Sequence, residues 1–469
     1  MEISWFNRAL ALLRGLFSSD SKWVVGSHGA PHSVVCPKLE SDYRCLVILR
    51  EVETMNPNRE PPIPDLDWPT GVTNRAPFRL YMDEDVRAAE QSRLFQGPVW
   101  QFLCLADEVP NVGDYKTTYA GETPVIVTRS EDGDLNAFEN RCVHKGALVC
   151  LDDRGNAKEL TCVYHNWLYT LKGQLMSVAF QKGVKGLGGM PEDFQLSDHR
   201  LRPMRVTELA GLVFGTFAEK APSLEEYMGV DIVARLKRVL NRPLRILGYH
   251  SQFLKNNWKL YVENVKDTYH AGLLHLFFAT FKLNRLTSEG GVIVSEDGGN
   301  HASFSKRRTI HANAEYDDAK LRASRDDVKL ADASLLDSFD EFGDGINVQI
   351  LSVFPNFILQ QVENSIAVRQ VLPKGVGQTE LNWVILGFQD DDEKITKMRL
   401  KQANLIGPAG YISMEDGAVG GFVQRAIQTA GDEASLMEMG GRDHTSDNTR
   451  TTEASVRGFW NAYRMHMSI

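Results

Sequence analysis

Two short pairs of side chains in this sequence have the types and spacing to bind metal. Cys142-x-His144 is followed by Cys162-x2-His165, within CVHKGALVCLDDRGNAKELTCVYH. Each pair fits one tight loop, and the residues between can form a hairpin that brings the loops together. Two thiolates and two imidazoles satisfy a mixed-ligand [2Fe-2S] centre, with sulfur on one iron and nitrogen on the other. They would also satisfy a Cys2His2 zinc site. A zinc finger normally pairs Cys with Cys and His with His along the chain. Here each loop supplies one of each, which favours the cluster.

A second group lies in ENVKDTYHAGLLH, which contains Glu263, Asn264, Asp267, Tyr269, His270 and His275. Asp267 and His270 are three apart, so one helical turn would place them together. His275 is out of phase and requires a helix end or a local distortion to converge. Two neutral imidazoles and one carboxylate can hold a mononuclear Fe(II) and leave positions open for dioxygen. Core histidines satisfied by hydrogen bonds would give the same letters. A one-electron centre upstream favours the metal, because an enzyme built on such a centre needs an electron acceptor. His270 and His275 are then the imidazoles, with the carboxylate supplied from elsewhere in the chain.

The residues around these positions carry a resemblance. Cys142-Val-His144-Lys145-Gly146 and Cys162-Val-Tyr164-His165-Asn166-Trp167, then Tyr169 and Gly173, resemble the cluster loops of Rieske proteins. With NWKLYVENVKDTYHAGLLH following, residues 95–430 resemble the large, or α, subunits of ring-hydroxylating Rieske non-haem iron oxygenases. The resemblance implies one Rieske [2Fe-2S] cluster on Cys142, His144, Cys162 and His165. It implies one mononuclear Fe(II) on His270, His275 and Asp416, the last within GPAGYISMEDGAVGGFVQ. Glu415 occupies the preceding acidic position, where many relatives carry Asp, and a non-ligating Glu415–Asp416 pair is the alternative. Asp391, Asp392 and Glu393 are poorer choices for the ligand. Asp267 matches an aspartate that, in relatives, links a cluster histidine of one subunit to an iron-ligand histidine of its neighbour. The partners here would be His165 or His144 and His270. Asn264 matches a polar position near the iron, either catalytic or a structural hydrogen bond. Trp258 and Tyr261 read as packing aromatics. Two positions depart from the common pattern: Asn166 stands where many relatives have Gly, and Lys145 where Arg is common.

The implied function is a terminal oxygenase component that dihydroxylates an aromatic ring with O2. Electrons come from NADH or NADPH through a separate reductase, with a ferredoxin between them left open. The chain itself has no Rossmann fingerprint to hold a nicotinamide. HNWLYTLKGQLMSVAFQKGVKGLGGMPEDF and SDNTRTTEASVRGFWNAYRMHM resemble the aromatic-carboxylate group, which acts on anthranilate, salicylate or halobenzoate. An aromatic acid is therefore the expected substrate, with Arg425 or another arginine as its carboxylate partner. A ring monooxygenase and a noncatalytic Rieske electron carrier are the alternatives. A small β subunit in an α3β3-like assembly is implied, with an α3 ring as the minimum.

The fold that must position these groups is α+β. Residues 99–218 read as a small antiparallel β domain, the Rieske domain, closed by the strand LAGLVFGTFAE. Residues 219–469 read as a larger catalytic domain, with a helix-grip-like antiparallel sheet and helices on one side of it. Residues 1–98 are a helical and extended segment. Its start, MEISWFNRALALLRGLF, has a short amphipathic pattern, and residues 81–97 read as a helix that stops at Gly97-Pro98. His28 and His32 are four apart but lack an obvious third ligand. The glycine-rich FQKGVKGLGGMPED lacks the phosphate-loop pattern and reads as exposed loop. Residues 312–344 are strongly acidic and read as a solvated surface segment, with a redox-partner contact as the sharper reading. The 469 residues include 43% hydrophobic and 24% charged, with a net charge of -9. That balance gives no support for nucleic-acid binding through a basic surface. No run of about 18 apolar residues suggests a transmembrane span. The six cysteines show no secreted-domain spacing, so a reducing cytoplasmic setting fits.

Overall fold

The computed structural model describes residues 63–281, 283–307 and 329–469. The amphipathic start, His28, His32 and the acidic stretch 312–328 lie outside the described residues.

Strands rich in Val, Ile, Thr and aromatic residues build two seven-stranded antiparallel sheets. The first contains β1 (Gln101–Leu105), β2 (Asp114–Ala120), β3 (Thr123–Arg129), β4 (Leu135–Glu139) and β5 (Arg154–Asn156). Its order is β1-β10-β9-β4-β3-β2-β5, with β9 (Pro203–Leu209) and β10 (Leu212–Thr216) inserted beside β1. A three-stranded sheet of β6 (Leu160–Thr161), β7 (Leu168–Tyr169) and β8 (Leu175–Ser177) carries the second cluster loop.

The second large sheet has the order β11-β17-β16-β15-β14-β13-β12. Its strands are β11 (Leu244–Leu254), β12 (Gly290–Val294), β13 (His301–Lys306), β14 (Ile346–Val353), β15 (Phe357–Val362), β16 (Ser365–Pro373) and β17 (Thr379–Phe388). The sequence suggested helices on one side only. Both faces are covered instead, which is why β15 and β16 are buried at every residue. Leu359, Ile366 and Val368 pack against Phe102 and Phe214 of the cluster domain and against Ile232 and Leu236. The latter two lie on α3 (Val230–Val239), which follows α2 (Leu224–Met228). The alternate residues Ile358, Ala367 and Trp383 pack against Trp258 and Tyr261.

Those two aromatics lie on α4 (Trp258–Lys266), the helix that leads into the second metal motif. Two carboxylates anchor it, Glu90 buried and Glu263 half-buried. Glu90 accepts hydrogen bonds from Trp258 Nε1 at 2.9 Å and Tyr463 Oη at 2.7 Å, and pairs with Lys259. Glu263 accepts from Tyr81 Oη at 2.7 Å and from Trp460 Nε1. Tyr81 precedes α1 (Glu84–Ala89), and Glu90 opens the wider helical turn that continues it to Phe95. Residues 78–95, which the sequence groups with the N-terminal segment, thus pack into the same core as α4 and the last helix.

The acidic segment also departs from a solvated reading within 329–344. Glu341 is 3% exposed and pairs with Arg399, which is fully buried and also pairs with buried Asp391. Asp391 is therefore part of an ion-pair network, and Asp392 caps the following helix by accepting from Ile395 N–H at 2.7 Å. Replacing Arg399 by Met leaves buried Asp391 without its guanidinium partner and Glu341 with Arg242 alone. The expected cost is about 3–5 kcal/mol of unfolding free energy, measured by urea denaturation.

Candidate active site

The two cluster loops have the same backbone construction. Cys142 N–H donates to Ala147 O and Gly146 N–H donates to Cys142 O, at 2.8 and 2.9 Å. Cys162 N–H donates to Trp167 O and Asn166 N–H donates to Cys162 O, both at 2.9 Å. Gly146 and Asn166 are equivalent positions, with φ of +73° and +54°. Asn tolerates this left-handed conformation better than other non-glycine residues, so the departure at 166 preserves the loop.

The loops bring all four expected ligands together. His144 Nδ1 faces His165 Nδ1 at 3.1 Å, and the His144 ring stacks on Trp167 with centroids 4.7 Å apart. The two cysteines are buried, while His144 is exposed and His165 half-buried. Tyr169 Oη lies 3.1 Å from Cys142 Sγ. Burial pushes the Cys162 thiol up, the N–H of Tyr164 pulls it down, and contact with Cys142 raises it again. Facing sulfurs and facing imidazole nitrogens, with N–H and O–H donors aimed at sulfur, fit a cluster whose irons lie between them.

In the second site, α4 stops at Lys266 and Asp267 turns the chain out of the helix. Asp267 Oδ1 accepts from the N–H groups of Tyr269 and His270, at 2.8 and 3.3 Å. Asp267 and His270 therefore meet through this turn, where the sequence suggested one helical turn. His270 begins the short α5 (Ala271–Leu274), and His275 lies between it and α6 (Leu276–Thr280) in extended conformation. This supplies the distortion that the spacing of His275 required. The long connection that follows the sheet contributes α7 (Glu393–Ile406) and α8 (Tyr411–Ala426). The second of these carries Asp416. A Cβ at Gly420 would collide with the Asn256 side chain, so glycine allows α8 to lie against the chain entering α4.

Asp416 Oδ1 is 3.4 Å from His270 Nε2 and 3.2 Å from His275 Nε2, and the donor atoms of the three residues lie within 4.8 Å of one another. Asp416 Oδ1 is buried and has no hydrogen-bond partner among the described residues. A buried carboxylate oxygen aimed at two imidazole nitrogens, without hydrogen-bond geometry, fits a cation between them. The electrostatics agree. Burial opposes a charged His270, yet Asp267 and Asp416 bring its pKa up to about 10. Burial raises the Asp416 carboxyl, but the two histidines hold it well below the usual range. Asn264 Nδ2 lies 3.5 Å from His270 Nε2. Glu415 Oε2 lies 2.9 Å from His275 Nδ1, so it does not turn away as a surface acid.

A pocket opens beside this triad. Phe278, Val348, Ile350 and Ile412 give it apolar walls, and Arg369 and Arg450 also line it. Arg369 is 3% exposed. It donates to Tyr261 Oη at 2.6 Å and to Gln360 Oε1, and its Nε has no hydrogen-bond partner among the described residues. No carboxylate among the described residues pairs with it. Arg425, named from the sequence, lies instead on the exposed part of α8, beside Phe422. The signal that could have found Arg369 is SIAVRQVLP, where one arginine interrupts an otherwise buried strand on the same face as Ala367 and Val371.

Residues 99–187 match the Rieske [2Fe-2S] domain family, and residues 233–469 match the ring hydroxylating alpha subunit (catalytic domain) family. The chain is 53% identical over 402 residues to a terephthalate 1,2-dioxygenase terminal oxygenase component subunit alpha 2 from Comamonas sp, covering 86% of this chain and 97% of that protein. It is 41% identical over 404 residues to an anthranilate 1,2-dioxygenase large subunit from Burkholderia cepacia, covering 86% and 96%. A salicylate 5-hydroxylase large oxygenase component from Ralstonia sp is 38% identical over 409 residues, covering 86% and 96%. The solved structure of naphthalene 1,2-dioxygenase from Rhodococcus sp. bound to indole aligns with a TM-score of 0.69 at 24% identity, covering 84% of this chain and 94% of that one. That likeness carries the fold.

Proposed function

The chain belongs to the ring-hydroxylating α subunits with a Rieske domain, and from that premise we propose that it dihydroxylates the ring of an aromatic carboxylate. It acts as the terminal oxygenase component, with electrons delivered from NADH or NADPH by a separate reductase. The observation that carries the substrate class is Arg369, a buried guanidinium on the pocket wall that pairs with no carboxylate among the described residues. The likeness to the terephthalate and anthranilate enzymes points the same way.

Cys142, His144, Cys162 and His165 would hold the cluster, and His270, His275 and Asp416 the mononuclear iron. Bound there, these groups supply one-electron transfer and reductive activation of dioxygen. The chain's own residues do the rest. Arg369 presents a planar fork to the substrate carboxylate and fixes which ring edge faces the triad. Phe278, Val348 and Ile350 hold the ring and exclude water. Asn264 lines the same space beside His270. Asp267 lies at the quarter-exposed outer edge of the triad, where a neighbouring subunit's cluster could reach it. Val143, Val163 and Tyr164 form exposed apolar surface beside the cluster histidines. A second copy covering this surface fits an α3 ring, and a small β subunit is expected with it. Among the described residues, no helix is long and apolar enough to cross a membrane.

Three measurements test the reading. Iron analysis should find a mononuclear iron in addition to the cluster, whereas a bare electron carrier would hold the cluster alone. Turnover of benzoate-like acids under labelled dioxygen should place both oxygen atoms in the product. One labelled atom would make it a monooxygenase, and turnover confined to neutral arenes would reject the carboxylate. Arg369→Gln should raise KM for the acid by about 30-fold or more, the equivalent of at least about 2 kcal/mol for a buried charge pair. Any neutral arene that the enzyme accepts should lose far less.

A further inference from the structure

We infer that the two carboxylates outside the metal triad divide their work, with Glu415 fixing His275 as the anchored ligand and Asp267 leaving His270 the adjustable one. This rests on the proposed metal-binding role of His270, His275 and Asp416. The two contacts differ in kind. Glu415 Oε2 meets His275 Nδ1 at 2.9 Å, a full hydrogen bond. Asp267 Oδ2 is 3.5 Å from His270 Nδ1, and that nitrogen has no hydrogen-bond partner among the described residues. The Oδ1 atom of Asp267 is committed to two backbone N–H groups, so the side chain is held in the turn and cannot close on the ring.

A carboxylate on Nδ1 of a metal-bound histidine sets its tautomer: the proton stays on Nδ1 and the Nε2 lone pair faces the metal. Glu415 does this for His275 from the residue adjoining Asp416, so consecutive residues of α8 deliver one ligand and aim another. His275 is also the more enclosed ring, its side chain 3% exposed against 19% for His270. Its anchoring makes it a fixed base for the metal. His270, loosely tied to an outward-facing carboxylate, can adjust when a neighbouring subunit contacts Asp267. Glu415 is accordingly a positioning residue for metal retention, and Asp267 contributes little to affinity.

The test is Co(II) titration of protein stripped of mononuclear iron with its cluster intact. Cobalt absorption reports both affinity and ligand field. Glu415→Ala should weaken Co(II) binding by roughly 10–100-fold, as loss of such a supporting carboxylate does elsewhere. Glu415→Gln retains an acceptor for Nδ1–H and should recover most of the affinity and the wild-type spectrum. Asp267→Asn should bind as wild type does. Wild-type affinity in Glu415→Ala, or a Gln variant as weak as the Ala variant, overturns the assignment, as does an Asp267→Asn loss equal to that of Glu415→Ala. Thermal unfolding of each stripped variant separates misfolding from a local effect, and the Gln variant carries the test if Ala does not fold. If His275→Ala also binds Co(II) normally, the triad reading itself fails, which is a different outcome.

Discussion

Asp416→Ala is expected to abolish ring oxidation while leaving the Rieske cluster spectroscopically intact. The two centres are built by separate parts of the chain. The proposed cluster ligands lie on loops of the β domain, and Asp416 lies on α8 of the catalytic domain. Alanine removes the carboxylate that, alone among the described residues, contacts both imidazoles, leaving His270 and His275 without the charge that pairs with a divalent cation. Iron analysis should show loss of the mononuclear iron, with the cluster's visible absorption unchanged. Metal-dependent activation is worth several kcal/mol, so turnover should fall by about a thousandfold or more. Retention of mononuclear iron with normal turnover would assign the third ligand elsewhere. Glu415 would then be the first residue to examine.

Asp267→Asn should separate metal content from electron delivery. The carbonyl oxygen of Asn can take over the Oδ1 contacts to Tyr269 and His270 N–H, so the turn that ends α4 should survive. The amide nitrogen replaces Oδ2, and it would face an imidazole N–H donor to donor. We expect both metal centres to remain loaded and kcat to fall by about 10–100-fold. In a single turnover, oxidation of a prereduced cluster should slow by the same factor. Normal single-turnover kinetics with full iron would remove Asp267 from the route between centres and leave it a turn-forming residue.

Several features of this protein are legible from residue types and local spacing. The mixed Cys–His pairs specify a cluster because each tight loop needs only a few adjacent residues to form it. The loops indeed repeat the same pair of backbone hydrogen bonds. An antiparallel sheet in the catalytic domain was expected from the sequence, and pairing from β14 to β17 follows sequence order. His270 and His275 were also identifiable, and the irregular spacing between them correctly demanded a break in the helix.

Other features depend on contacts that no local pattern encodes. That both faces of the catalytic sheet are buried follows from the cluster domain lying against one of them, a contact between residues more than a hundred positions apart. Glu90 and residues 78–95 belong to the catalytic core because a buried carboxylate must find donors, and Trp258, Lys259 and Tyr463 provide them. Asp416 could be named by resemblance. Its convergence with two histidines some 140 positions earlier is set by how closely α8 approaches α4. The same packing turned Glu415 from an ambiguous neighbour into a hydrogen-bond partner of His275. It also placed Arg369, rather than Arg425, on the pocket wall. Sequence determined which groups can bind iron, because that is a property of side-chain chemistry. Tertiary structure decided which carboxylates and arginines surround the proposed iron site, because that depends on which strand face or helix face is buried.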